Sequence, residues 1–266
     1  MATYYLDGND FTTATDWQTA AGADAAEYPG QNQADHVVVG SRMAEALDTH
    51  VDQSANPNGI ENVTVEREAP YALGTRAAPL TLKLVSTPEL MFASEQAGCE
   101  IFMVTKTTAV TKCTVVQTAS SDDGLHLVFD DAACTLMDIL GGNVTLDDYL
   151  NQLGSEGVAT LNVETGPGGQ APVVSIHVPV TTVLNVYSGT VYWNAGTLTQ
   201  INLYGGQLYA NRSQVARTCT NLTYYGGVGD FRTGATGCLT FSNAIVVKAA
   251  DTSQLYFDGG QAVSLA

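Results

Sequence analysis

Positive charge is scarce in this 266-residue chain: Lys and Arg total 10 against 27 Asp and Glu, giving a formal net charge of −17. A nucleic-acid groove needs clustered cations over phosphates, so that class of partner is excluded. Between residues 113 and 211 there is no Lys or Arg, and a polysaccharide lyase would want a basic side chain beside its acids. Long apolar runs are also missing. A stretch such as AIVV (244–247) falls far short of the roughly 20 residues of a membrane helix, so no membrane partner is expected. The opening MATYYLDGND carries neither a basic nor an apolar leader, which makes the cytoplasm the expected place of synthesis. Cysteines number five (Cys99, Cys113, Cys134, Cys219 and Cys238) with no CxxC pair. That pattern predicts reduced, buried thiols instead of a disulfide framework or a zinc site.

Catalytic and cofactor signatures are equally thin. His36, His50, His126 and His177 have no metal-ligand spacing. The DGND string at 7–10 lacks the ligand series and closing Glu of a calcium loop. The acidic pairs Asp122-Asp123, Asp130-Asp131 and Asp147-Asp148 are adjacent in sequence, so on a strand each pair offers one carboxylate per face. No nucleophile elbow and no GxGxxG between strand and helix is found. The expectation is a protein without catalytic residues, cofactor or metal.

What the chain does contain is repetition. NVYSGTVYWN (185–194) is written again as NLYGGQLYAN (202–211) and echoed as LTYYGGVGDF (222–231) and FDGGQAVSLA (257–266). Similar units returning every 15 to 25 residues mark stacked elements that cannot bury an apolar face alone. Short β-rich runs recur throughout: HVVVG, IENVTVE, LTLKLV, EIFMV, CTVVQ, LHLVFDD, ATLNVE, VVSIHV, VLNVY, TVYWN, INLYG, QLYAN, LTYYG, CLTFSN, AIVVK and QLYFDGG. Each alternates or is mostly apolar, and Gly, Asn, Ser and Thr separate them. A sandwich also has many short strands, but without the same side chains returning to the same place. The fold predicted is all-β: a parallel β-helix, or β-solenoid, right-handed by the usual bias of parallel crossovers, with an N-terminal capping segment. A hydrophobic content of 45% suffices for its core.

Residues 1–40 read as the capping or attachment segment and 41–266 as the β-helix body, with the first coil starting near Asp35. One short helix is expected near 146–153, where Thr145 would cap TLDDYLNQLG and Gly154 end it. Asn185, Asn202 and Asn221 each precede an apolar strand residue, the pattern expected of a ladder at tight corners where φ is positive. The gaps of 21 and 19 residues between Cys113 and Cys134 and between Cys219 and Cys238 fit equivalent positions on successive coils. Tyr187, Trp193, Tyr204, Tyr209 and Tyr225 form a candidate aromatic face, with Tyr187, Tyr204 and Tyr225 stacking along it. The alternatives there are plain packing and a binding platform.

An open solenoid leaves unpaired backbone at each end. The segment around Trp17 would cover the first coil; LYFDGGQAVSLA stops on an apolar strand, which implies cover by another subunit or partner, or a longer natural chain. Tyr4, Tyr5, Gly8, Asn9 and Asp10, then Asp16-Trp17, then Pro29-Gly30 and DHVVV resemble the start of bacterial and phage surface β-helix proteins. The resemblance is close over about 40 residues and extends further only as a style of repeat. Its phage branch implies a virion-associated protein of the head decoration or fibre type, made in the host cytoplasm and placed on the head surface. It also implies a homotrimer and contact with the major capsid protein or another virion protein. Tyr4, Tyr5, Asp10, Trp17 and Pro29 are the candidate attachment and capping residues. The expected function is therefore a non-catalytic capsid decoration protein. The alternative is a carbohydrate-binding or carbohydrate-degrading tail fibre or tailspike domain that uses the aromatic face.

Overall fold

The computed structural model describes residues 2–8, 13–31, 35–44, 60–71, 73, 80–94, 103–106, 110–118, 124–129, 133–146, 157–177, 180–235, 237–248, 254–258 and 263–265. The chain is a parallel β-solenoid. Its strands alternate between two ladders, and each strand lies beside the equivalent strand of the previous coil.

The first ladder runs through Asp35–Val39, Ile60–Val65, the end of Leu80–Phe92, Val110–Val115, Cys134–Ile139, Val158–Val163, Val180–Val186, Thr197–Leu203 and Arg217–Tyr224. It ends on Ile245–Val247 and Val263–Leu265. The second ladder takes the start of Leu80–Phe92, then Met103–Lys106, Leu125–Phe129, Asn143–Leu146, Val173–Ile176, Thr190–Trp193, Gln207–Tyr209, Val228–Phe231 and Leu255–Phe257. All these pairings are parallel. Among the described residues there is no α-helix, and none long and apolar enough to cross a membrane.

Strand alternation sends one set of side chains inward, and register stacks them into columns. One buried column reads Val63, Leu90, Cys113, Met137, Leu161, Leu184, Ile201 and Leu222. On the second ladder Ile176 and Trp193 are partners in register, and Ala210 and Phe231 follow on the next coils, all four buried. Coil length varies: 24 residues separate Asp138 from Asn162, 23 separate Asn162 from Asn185, and 17 separate Asn185 from Asn202.

The first coil is closed by the N-terminal segment. Thr3–Leu6 adds a parallel strand beneath Asp35–Val39, and Trp17–Gln18 pairs with it in antiparallel fashion through Leu6 and Trp17, both fully buried. The buried Asp35 carboxylate ties this arrangement together, accepting from Ala2 N at 2.8 Å and from Gly30 N at 3.1 Å. Gly30 has φ 79° at the Pro29-Gly30 turn, which explains glycine there.

Several expectations are corrected. Thr145 caps no helix: it lies in the strand Asn143–Leu146, while 147–153 lie outside the described residues. The strands Thr3–Leu6, Cys134–Ile139, Asn143–Leu146 and Val228–Phe231 are not among the runs that the sequence pattern marks. The asparagines are not corner residues; they sit mid-strand facing outward, and Asn202 is followed in register by Thr223, with Asn221 one column over beside Gln200. The positive-φ corners belong to glycine: Gly189 (79°), Gly206 (66°) and Gly227 (85°). The cysteine pairs sit on neighbouring coils but out of register, since Cys113 stacks on Met137 and Cys134 on Val110. Likewise Cys219 stacks on Phe241. Cys99 lies outside the described residues.

Candidate interaction surfaces

The repeated Tyr-small-Gly unit forms the first surface feature. At the end of each first-ladder strand the backbone N–H of Tyr187, Tyr204 and Tyr225 donates to Val163, Val186 and Leu203 of the coil below. The rings therefore inherit the coil spacing. Tyr187 and Tyr204 stack at 4.8 Å with planes 2° apart, and Tyr204 and Tyr225 at 4.6 Å and 15°. All three are exposed, but the ring faces inside the stack are covered by one another. Loss of water, then its two tyrosine neighbours, raises the Tyr204 pKa. What the stack offers solvent is ring edges and hydroxyls.

The remaining aromatic candidates fall elsewhere. Trp193 points inward and is fully buried, which removes it from any surface. Tyr209 lies on the second ladder, stacked on Tyr192 at 5.7 Å, in a column continued by Asp230 and Tyr256. Arginines occupy the outer rings of this column: the Arg212 guanidinium lies 3.4 Å from the Tyr192 ring centre, and that of Arg232 lies 4.6 Å from Tyr256. Arg232 also holds the buried Asp230 carboxylate through bonds of 2.8 and 2.6 Å, and Asn211 donates to it at 3.0 Å. Those bonds, led by that of Arg232, lower the Asp230 pKa despite burial.

Between the tyrosines and the strands' beginnings runs an amide ladder. Asn162 Nδ2 donates to Asp138 Oδ1, Asn185 Nδ2 to Asn162 Oδ1, and Asn202 Nδ2 to Asn185 Oδ1, each at 2.8 Å. Gln200 Nε2 donates to Asn202 Oδ1 at 2.8 Å, and Lys112 approaches Asp138 at 3.5 Å from the other end.

Further down the same face is a shallow depression of about 230 Å³ lined by His36, Asn62, Thr64, Glu89, Lys112 and Thr114. His36 Nε2 lies 3.0 Å from Thr64 Oγ1, and burial lowers its pKa. Glu89 and Lys112 are direct partners in register. No sequence signal marks this grouping, because residues 23 or more positions apart come together only through unequal coil lengths.

The N-terminal candidates divide. Tyr4 is buried, and its hydroxyl donates to Glu27 at 2.9 Å; burial first, then that bond, pushes its pKa up to about 12. Trp17 and Pro29 are buried too. Tyr5 stays partly exposed beneath the Arg42 guanidinium, 4.2 Å from the ring centre. Asp10 lies outside the described residues, as do His50 and the acidic pairs at 122–123, 130–131 and 147–148. Among the described residues no group of three or more His, Cys, Asp or Glu is placed to hold a metal.

No family model matches the chain, and neither a curated protein nor a solved structure matches it significantly. The class is thus defined by the fold: a parallel β-solenoid with an antiparallel N-terminal segment.

Proposed function

We propose that this chain is a non-catalytic structural protein of a bacteriophage virion, a decoration protein seated on the head surface. The observation that carries this reading is the axial order of its outward side chains. The amides of Asn162, Asn185 and Asn202 bond to one another along the stack, and the tyrosine rings of Tyr187, Tyr204 and Tyr225 cover one another. Such ladders stiffen a rod. They spend polar and aromatic groups on neighbours and leave few converging on one point, as a reaction centre requires. The resemblance of residues 1–40 to bacterial and phage surface β-helix proteins, taken in its phage branch, supports the virion setting, with the major capsid protein or another virion protein as partner. It also supports self-association, for which it implies three copies. Attachment falls to the outer side of the N-terminal segment, where Tyr5 and Arg42 are presented.

The test is to delete the reading frame from the genome that carries it, purify the particles, and add back the purified chain. Loss from the particle protein profile and restored binding are expected; intact particles that never contained the chain refute the reading. The carbohydrate-binding alternative rests on the ring edges and hydroxyls that the exposed stack of Tyr187, Tyr204 and Tyr225 presents to solvent. It predicts binding on a glycan array that is lost in Tyr225→Ala.

A further inference from the structure

Charge is divided unevenly along the solenoid axis. Residues 1–164 hold 24 Asp and Glu against six Lys and Arg, whereas residues 165–266 hold three against four. Among the described residues the division persists, with 11 Asp and Glu against five Lys and Arg up to residue 164 and two against four beyond it; because the coils stack in chain order, the described part of the first half is acidic and that of the second is not. Of the four cations at the second end, Arg217 is buried, and Arg212, Arg232 and Lys248 are exposed.

A built loop accompanies those cations. From Asn185 to Asn202 the coil takes 17 residues, but from Asn202 to Thr223 it takes 21. The longer coil carries the loop from Asn211 to Ala216. Its backbone is clipped from inside by the Arg217 guanidinium, which donates to Val215 O at 3.1 Å, to Ser213 O at 2.6 Å and to Trp193 O. A fixed loop thus presents Arg212, stacked on Tyr192, and Val215, 56% exposed, the most exposed of the large apolar side chains described. Among the described residues no carboxylate pairs with Arg212. Arginine and tyrosine are enriched at the energetic centres of protein interfaces, and here they stand beside the exposed Val215 tip. A sugar ring finds little here, since Arg212 covers Tyr192 and Arg232 covers Tyr256.

From this we infer that the surface formed by Arg212, Val215, Tyr209, Arg232 and Tyr256 docks onto the acidic half of a second copy of this chain, the two solenoids lying side by side and antiparallel. The acidic complement is present in the same sequence, and an antiparallel two-fold satisfies both ends at once. Three parallel copies, the arrangement the resemblance implies, would set the acidic halves against one another. The inference does not depend on the virion reading.

The experiment is sedimentation velocity of the full chain at about 0.05 M and about 1 M NaCl, where screening lengths differ several-fold. It is paired with zero-length carbodiimide coupling of a mixture of isotope-labelled and unlabelled chains. Expected are a dimer at low salt that dissociates at high salt and, when the coupled chains carry Arg212→Lys, couplings between copies from position 212 to carboxylates within residues 1–164. Arg212→Glu should be monomeric at both salts, and Arg212→Lys should keep part of the association. Arg212 is exposed, so both variants should melt like the parent; if Arg212→Glu does not fold, the coupling map of Arg212→Lys decides alone. A monomer at low salt overturns the inference. So does a trimer, an assembly indifferent to salt and to Arg212→Glu, or couplings confined to the two non-acidic halves.

Discussion

The coils between Val180 and Phe231 repeat in sequence and in space, whereas those between Ile60 and Ile139 repeat in space alone. Inside the solenoid the two regions obey one rule. Val63, Leu90, Cys113 and Met137 fill the column that Leu184, Ile201 and Leu222 continue, and all are buried. An inward position needs volume and no unpaired polar atom, so many residue types satisfy it. Outside, the regions differ: Thr64, Met91, Thr114 and Asp138 hold the column that becomes Asn162, Asn185 and Asn202. An amide can bond to the same amide one coil away, so the asparagine column repeats its letter as well as its polarity. Corners differ likewise. From Asn62 to Glu89 a coil takes 27 residues, while from Asn185 to Asn202 it takes 17, the shortest interval in the asparagine ladder.

The sharpest way to break the regular region is at its glycine corner. Gly206 has φ 66°, and a Cβ there would lie 2.7 Å from Gly189 O. Gly22 has φ 80° but open space around it. Gly206→Ala combines a left-handed backbone with a backbone clash and should cost about 2–3 kcal/mol, against about 1 kcal/mol for Gly22→Ala. Urea unfolding of the two variants measures the difference; equal losses would remove close stacking as the reason for glycine at these corners.

A smaller effect separates the two outward columns. Asn202→Ala removes a donor to Asn185 and an acceptor for Gln200 on a partly exposed face, and about 1 kcal/mol should be lost. Thr114→Ala, in the same column among the irregular coils, should stay within about 0.5 kcal/mol, since Thr114 has no side-chain hydrogen bond among the described residues. An unchanged melting point in Asn202→Ala would leave the ladder without energetic weight.

The same contrast explains what was legible in the sequence. Alternation exposed most strands, and the near-identical decapeptides exposed coil stacking, because in that region spacing and chemistry repeat together. Asn202 was read correctly as stacked but misplaced, since a sequence repeat does not say which member of the repeat turns the corner; the Ser-Gly and Gly-Gly steps at 188–189, 205–206 and 226–227 held that information. Trp193 shares the aromatic repeat with the surface tyrosines, but it follows Tyr192 by one residue and strand parity sends it inward. Asp147 and Asp148 mimic a helix's acidic first turn after Thr145, although Thr145 itself lies in a strand. The His36, Glu89 and Lys112 depression had no sequence signal, since their columns meet across coils of unequal length.

The smallest expected effect concerns the cap, the one described part of the chain with antiparallel pairing. Tyr4 keeps its hydroxyl on Glu27 inside that cap, and its folded pKa stands at about 12 against the ordinary 10.0. Because the folded state holds the phenol proton more tightly, the contribution of this group is fully present below pH 10 and is lost as pH rises through about 12. Hydrogen exchange of residues 2–7 should therefore accelerate across that window relative to residues 197–203, whose strand contains no tyrosine. In Tyr4→Phe the alkaline acceleration should shrink, with a modest, nearly pH-independent weakening of the cap in its place from the lost Glu27 bond. If exchange in the variant still accelerates as in the parent, the alkaline sensitivity belongs instead to the buried thiols of Cys134 and Cys219, which burial also pushes up to about 12. Loosening would then begin in the coils and not at the cap.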